Sequence, residues 1–250
     1  MKLKIGYAAN HKIGADALRL MLSNDITPLL LFLPEDGDCN DEIITMLPNT
    51  AHIIGREFKS IDNIDYIRSL ELDYILSVHF PYIIPKEIIR LPKVGVLNIH
   101  PAYLPYNKGW HTTCWSIYES TPFGVTLHWV DEGVDTGDIA LQKPIAVSWT
   151  DTADSLYKKA IQCELELLKE AIPYILNRNL PRVPQPHVGT FHFKKDIEKI
   201  RRIDLDLEYR AKEFINLLRA LTTNNWNEAA FFEANGKKYL ICVEIKECDK

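Results

Sequence analysis

Apolar and polar positions change period several times along the chain. Leu3–Ala9 reads as a strand, and the spacing over Ile13–Leu22 predicts a helix behind it. Thr27–Leu33 (TPLLLFL) is nearly continuous apolar, as a strand buried on both faces should be. Ile64–Leu70 predicts a helix, Asp73–His79 a strand and Val94–Ile99 another strand. Strands alternating with helices imply βαβ units, so the predicted fold class is α/β with a Rossmann-like, mainly parallel sheet.

Gly124–Val130 and Ile139–Val147 predict two further strands, with an acid- and glycine-rich loop between them. A long helix is expected to start near Asp151, with Thr150 or Asp151 as N-cap. Leu156, Ile161, Leu165, Leu168 and Ile172 give it one apolar face, and Pro173 should kink or end it. Asn177–His192, with Pro181, Pro184, Pro186 and Gly189, predicts a linker. Beyond it a helical pattern covers Leu207–Leu221, and a hairpin is expected from Glu228–Ala234, the turn Asn235-Gly236, and Lys237–Ile245. The expected organisation is a large domain over 1–180, a linker over 181–192, and a small C-terminal α+β subdomain containing the hairpin over 193–250.

Composition narrows this only modestly. The chain has 250 residues, 46% of them hydrophobic and 25% charged, so it is long enough to bury a sizeable core. The net charge of −5, without a basic stripe, argues against a nucleic-acid partner. The five cysteines lack CxxC spacing, which argues against a disulfide framework or a thiolate metal site. The N-terminal apolar run is too short and interrupted for a signal peptide, and no run of about 18 apolar residues occurs. A cytoplasmic protein without a membrane span is therefore expected.

Candidate chemistry concentrates between Val94 and Val147. The strand ending Val96-Leu97-Asn98-Ile99-His100-Pro101 places Asn98 and His100 on the same side. It puts them at the C-terminal end of a parallel strand, the edge where open α/β sheets bind ligands. A hydrogen-bonded structural role is the alternative reading of each. Asp131, Glu132, Gly133, Asp135, Gly137 and Asp138 lie in the following acidic loop, but their spacing does not match an EF-hand. His100, His111, His128 and Asp131 offer zinc-type donors without an HExxH pattern, so no metal is expected. Cys114 and Ser116 have no evident activating base and read as structural.

The residues NIHPAYLP at 98–105, Gly109, and GVTLHWVDEGVDTGDIALQ at 124–142 resemble the signature of the N10-formyltetrahydrofolate-dependent formyltransferases. The resemblance covers roughly the first 180 residues at fold level and is strongest between 94 and 160. It implies catalytic roles for Asn98, His100 and Asp135, the second acid of the DEGVDTG loop. It also implies N10-formyltetrahydrofolate as co-substrate. Pterin recognition in that family is mostly by backbone groups. The matching segments, Phe80–Ile84 and Val130–Asp135, nominate Phe80, Tyr82, Ile84, Val130, Asp131 and Gly133. Formyl transfer between nitrogens passes through a tetrahedral intermediate whose oxygen gains negative charge. Asn98 suits a fixed donor to that oxygen, His100 a donor or a base, and Asp135 a group that holds the imidazole's charge or relays a proton.

The acceptor is read from differences between subfamilies. From 191 to 250 there are 12 Lys/Arg and 11 Asp/Glu, an excess of one positive charge, which disfavours tRNA binding. Ala8-Ala9-Asn10-His11 stands where phosphoribosylamine formyltransferases carry a Gly-Ser-Asn phosphate loop. The stretch Gly109–Ile117, His128-Trp129, and Leu218–Leu221 before a hairpin are similar to sugar N-formyltransferases. That likeness implies a nucleotide-linked amino sugar, usually dTDP-linked and used for surface polysaccharides. Asn10, His11, Ser77 and His79, at strand C-ends, are candidate substrate contacts or loop structure. Trp226 either stacks on a thymine base or packs on the helix before it. Tyr239–Val243, an apolar edge, predicts a homodimer through the C-terminal hairpin.

Overall fold

In the computed structural model, residues 2–248 are described; Met1, Asp249 and Lys250, at the outer ends of the two expected domains, lie outside the described residues. In chain order the elements are β1 (Ile5–Ala9), α1 (His11–Leu22), β2 (Leu30–Leu33), α2 (Asn40–Met46), β3 (Ala51–Ile54), α3 (Ile61–Ser69), β4 (Tyr74–Val78) and α4 (Lys86–Ile89). Then follow β5 (Gly95–His100), β6 (Lys108–Gly109), α5 (Thr112–Glu119), β7 (Gly124–Trp129), β8 (Ile139–Pro144) and α6 (Ala153–Asn177). The last are β9 (Phe191–His192), α7 (Glu198–Arg201), α8 (Ala211–Ala220), β10 (Ala230–Ala234) and β11 (Lys237–Ile241).

Seven strands form one sheet in the order β3-β2-β1-β4-β5-β7-β8. From β3 to β5 every neighbour pair is parallel; β7 then joins β5 antiparallel. The α/β expectation therefore holds, with a reversal at β7 that puts the end of β5 beside the start of β7. β1, β2 and β4 are buried along their whole lengths, which explains their unbroken apolar sequences. Phe32, Phe58, Ile67, Ile75, Ile88 and Val96 belong to one core cluster in this region. The chain divides into two compact units. One takes the chain to His100, Thr126–Gln142 and Glu164–Gln185; the other takes Pro101–Val125, Lys143–Cys163 and the chain from Pro186.

Several local expectations shift. The second strand begins at Leu30 rather than Thr27, since Pro28 has no N–H for the ladder. Thr152, and neither Thr150 nor Asp151, caps α6: its Oγ1 accepts the Ser155 N–H at 3.3 Å, and Ser155 Oγ accepts the Thr152 N–H at 3.0 Å. Asp151 is buried instead and accepts from Ser148, Ser155 and Lys159. Pro173 does not end α6, which continues to Asn177 with Ile172 and Ile175 buried. A proline there loses its N–H bond and crowds the carbonyl four residues back, and the burial of Ile172 and Ile175 on either side offsets that cost. The C-terminal helix is shorter than its pattern, beginning at Ala211. The hairpin forms with Asn235 at φ 51° and Gly236 at φ 70°, the paired left-handed geometry of a type I′ turn. Among the described residues no helix is long and apolar enough to cross a membrane.

Arg219 on α8 is 4% exposed and spends its guanidinium on carbonyls: Nε donates to Asp151 O at 2.7 Å and Nη2 to Ser148 O. Burial pulls its pKa down and the nearby Asp151 carboxylate only partly opposes this. Arg219→Met should leave those carbonyls without donors and lower stability by about 2–4 kcal/mol, measured by urea denaturation.

Candidate active site

The site is built on a row across three strands. Ser77 on β4 stands beside Asn98 on β5, and Asn98 faces His128 on β7. Two positions on, His100 faces Thr126. The expected same-side placement of Asn98 and His100 thus falls where β7 covers the C-terminal end of β5. His128 Nδ1 lies 2.9 Å from the Trp129 carbonyl oxygen, and its Nε2 lies 3.1 Å from Asn98 Nδ2. Asp135 closes the cluster. Its Oδ2 is 3.6 Å from His100 Nε2, and its Oδ1 is 3.4 Å from His128 Nε2. The three expected catalytic residues are therefore brought together, and a fourth, His128, stands among them. In the sequence His128 stood as a metal donor and as part of the likeness to sugar N-formyltransferases, not as a partner of Asn98; its placement opposite Asn98 depends on the β5–β7 register.

Asp135 is held by its loop. Asp131 Oδ1 accepts the Gly133 N–H at 3.0 Å and the Thr136 hydroxyl at 2.6 Å, curling the first half. Trp129 N donates to Asp138 O at 2.8 Å, closing the loop's neck. At Gly137 an added Cβ would stand 2.0 Å from the Trp129 carbonyl oxygen, so only glycine fits. Asp135 itself is left-handed at φ 54°, a strained backbone for a residue with a side chain. Gln185 clamps this bend: its Nε2 donates to Asp135 O at 2.8 Å and to Gly137 O at 2.7 Å. Nothing about the chain near Gln185 announces this role beyond its place between Pro184 and Pro186. Gln185, in the segment expected to be a linker, thus holds the backbone of the loop that carries Asp135. Val183 also bridges to Ile139, and the Pro181 carbonyl accepts the Trp129 indole N–H at 2.7 Å.

A neutral amide, an imidazole and a carboxylate at a ligand-binding sheet edge suit acyl transfer, and comparison with known proteins agrees. A family model described as Formyl transferase matches residues 42–172. The chain belongs to the formyl transferase family. A second family model, described as N-formyltransferase dimerization C-terminal domain, matches residues 196–247. The dTDP-4-amino-4,6-dideoxyglucose formyltransferase of Mycobacterium tuberculosis (strain ATCC 25618 / H37Rv) is 33% identical over 174 residues, 70% of this chain and 74% of that protein. The methionyl-tRNA formyltransferase of Clostridioides difficile (strain 630) is 36% identical over 167 residues, 66% of this chain and 53% of that protein. A sugar N-formyltransferase from Shewanella sp FDAARGOS_354 shares the fold, with a TM-score of 0.85 at 23% identity over 99% of both chains.

The other nominated residues of this formyl transferase fall into separate groups. Phe80, Tyr82, Ile84 and Val130 all pack on the same core cluster. Phe80 and Tyr82 meet edge-on with ring centroids 5.3 Å apart, and Phe58 lies against both. Asp131 and Gly133 shape the acidic loop as described. At the ends of β1 and β4, Asn10 N donates to Val78 O at 3.1 Å. The Asn10 side chain is buried, with Oδ1 lacking a hydrogen-bond partner and Nδ2 3.3 Å from His11 Nε2. His11 lies 3.2 Å from Asp38 and meets His79 edge-on. Ser77 is buried within β4. Trp226 belongs to the second unit and is 57% exposed. Cys114 is buried and burial pushes its thiol up in pKa, so it is no thiolate nucleophile.

His79 has φ 54° and places Nε2 3.0 Å from both oxygens of the fully buried Glu164. Burial pulls its pKa down, but the charge and hydrogen bond of Glu164 outweigh this and hold it above the ordinary histidine value. The pair therefore stabilises the fold fully below the unfolded value of about 6.5, and this contribution is lost as pH rises through the raised one. His79→Gln should cost about 3 kcal/mol in mild acid, with the gap to wild type narrowing toward alkaline pH in paired thermal melts. Gln185→Ala should lower kcat roughly tenfold through a loosened Asp135 while costing only about 1–3 kcal/mol of stability. Turnover and urea melts on the same preparation check both halves.

Proposed function

We propose that this formyltransferase moves the formyl group of N10-formyltetrahydrofolate to the amino group of a nucleotide-linked amino dideoxy sugar, with dTDP-4-amino-4,6-dideoxyglucose as the leading acceptor. The observation that carries the reaction is the convergence of Asn98, His100 and Asp135 at one sheet edge. The observation that favours the sugar is the Mycobacterium tuberculosis relative, matched over most of both chains. The match to the methionyl-tRNA enzyme leaves nearly half of that protein uncovered, and the segment 191–250 carries only a single excess positive charge.

In the proposed reaction the neutral sugar amine attacks the formyl carbon, forming a C–N bond and a tetrahedral oxyanion. Asn98 donates to that oxygen. His100 accepts the proton lost by the attacking nitrogen, and Asp135, 3.6 Å from its Nε2, stabilises the imidazolium. Collapse breaks the bond between the formyl carbon and N10, and the proton passes to N10. These bond changes require neither a metal nor a covalent enzyme intermediate. Phe80, Tyr82, Ile84, Val130, Asp131 and Gly133 mark the folate side. Asn10, whose buried Oδ1 is an unpaired acceptor, suits a sugar hydroxyl, and His11, Ser77 and His79 line the same strand ends.

The segment 193–250 is assigned to nucleotide and dimer contacts, behind a catalytic domain over 1–180 and a linker over 181–192. Exposed Trp226 offers a face for the base. The match to a dimerization domain over 196–247 and the exposed Tyr239 and Leu240 support a homodimer through β11. A cytoplasmic enzyme supplying formamido sugars for surface polysaccharide fits this reading. Incubation with formyltetrahydrofolate and a panel of 3-amino and 4-amino sugar nucleotides should yield a formyl mass gain by mass spectrometry on one acceptor. No gain on any of them would remove the sugar reading. His100→Ala and Asp135→Ala should each lower kcat by about 10²–10⁴ with melting curves intact.

A further inference from the structure

We infer that His128 is a positioning residue whose protonation state decides which end of the Asn98 amide meets the reacting formyl oxygen. The inference rests on the proposed role of Asn98. His128 is 2% exposed and has a fixed orientation, because a carbonyl oxygen only accepts and Nδ1 at 2.9 Å from Trp129 O must carry hydrogen. The state of Nε2 is then the remaining variable. Its two neighbours make opposite demands. Asn98 Nδ2, at 3.1 Å, is a donor and needs a lone pair on Nε2. Asp135 Oδ1, at 3.4 Å, is an acceptor and is drawn to a hydrogen there.

With the ring neutral, Nε2 accepts one amide hydrogen of Asn98. The amide is locked by that bond, and its second N–H stays available as a donor. With the ring cationic, Nε2 carries a hydrogen that lies between Asp135 Oδ1 and the amide, and the amide loses its acceptor. An amide so released gains by turning about its last side-chain bond to present its oxygen to the imidazolium, which removes the donor from the oxyanion. The titratable groups that face His128 are Asp135, from the loop after β7, and His100, on β5 with ring centroids 6.3 Å apart. One carboxylate thus serves both imidazoles, its Oδ2 toward His100 and its Oδ1 toward His128. The arrangement links proton uptake on the non-catalytic ring to loss of the oxyanion donor.

The test compares kcat and KM from about pH 5 to 9 for wild type, His128→Phe, His128→Gln, Asn98→Ala and the Asn98→Ala, His128→Phe pair. His128→Phe removes the acceptor and should lower kcat by about 10²-fold with KM for the amine within about twofold. His128→Gln supplies an amide oxygen that accepts without titrating. It should recover at least about tenfold of that loss and show one protonation fewer on the acid limb. The double variant should be no slower than Asn98→Ala alone, since both substitutions remove the same donor. Additive losses, or an acid limb unchanged in His128→Gln, would overturn the inference. If Asn98→Ala itself turns over at the wild-type rate, the catalytic reading of the site fails first, and the two failures are thereby told apart. Ring ¹⁵N shifts of His128 in the folded enzyme give a readout independent of turnover. They should show the Nδ1–H tautomer at alkaline pH, and the Nε2–H tautomer there would also overturn the inference.

Discussion

The two oxygens of the Asp135 carboxylate set the geometry of this site. Each lies near a different imidazole nitrogen, so the position of one side chain fixes the charge environment of both rings. That carboxylate sits on a left-handed residue at the tip of a loop, a conformation that a free loop would hold poorly. The hydrogen bonds from Gln185, the Asp131 turn and the close approach at Gly137 hold it there together. Strain at Asp135 is thus supported by a polar side chain from a distant stretch and by a glycine for which no other residue substitutes.

The same sheet edge concentrates buried polarity. His100, His128, Ser77 and Asn10 lie buried at or near strand ends with half-buried Asn98 among them, and His79, just after β4, pairs there with Glu164 of α6. Buried charges of this kind survive only when paired, because desolvation otherwise drives them neutral. Glu164 meets that requirement for His79, with a raised imidazole pKa as the result. The effective dielectric around such groups is well below that of water, which strengthens each hydrogen bond made among them. The reversal of strand direction at β7 supplies the surface on which Asn98, His100 and His128 meet.

Much of this was legible in the chain. Continuous apolar runs identified the buried parallel strands, and the alternation of Asn98 and His100 before Pro101 put two polar groups on one side of a strand end. Asn235-Gly236 identified its hairpin because the turn is a property of those two residues. The long motif over 124–142 located the acid at Asp135. Less legible were α2 and β3, which lie at the sheet margin where partial exposure blurs the apolar pattern. The cap of α6 was misplaced by one or two residues, since Thr150, Asp151 and Thr152 are all good capping types and the choice among them lies in side-chain geometry.

By itself the sequence determined the layered α/β class, the strand that carries Asn98 and His100, and the family to which the chain belongs. These follow from local periodicity and from contiguous motifs. The tertiary structure alone decided that His128 faces Asn98, that Asp135 is shared between two rings, and that Gln185 clamps its bend. Those contacts join residues separated by 30 and 50 positions. They depend on strand register and on the path of the returning chain, and no local pattern of polar and apolar residues encodes either.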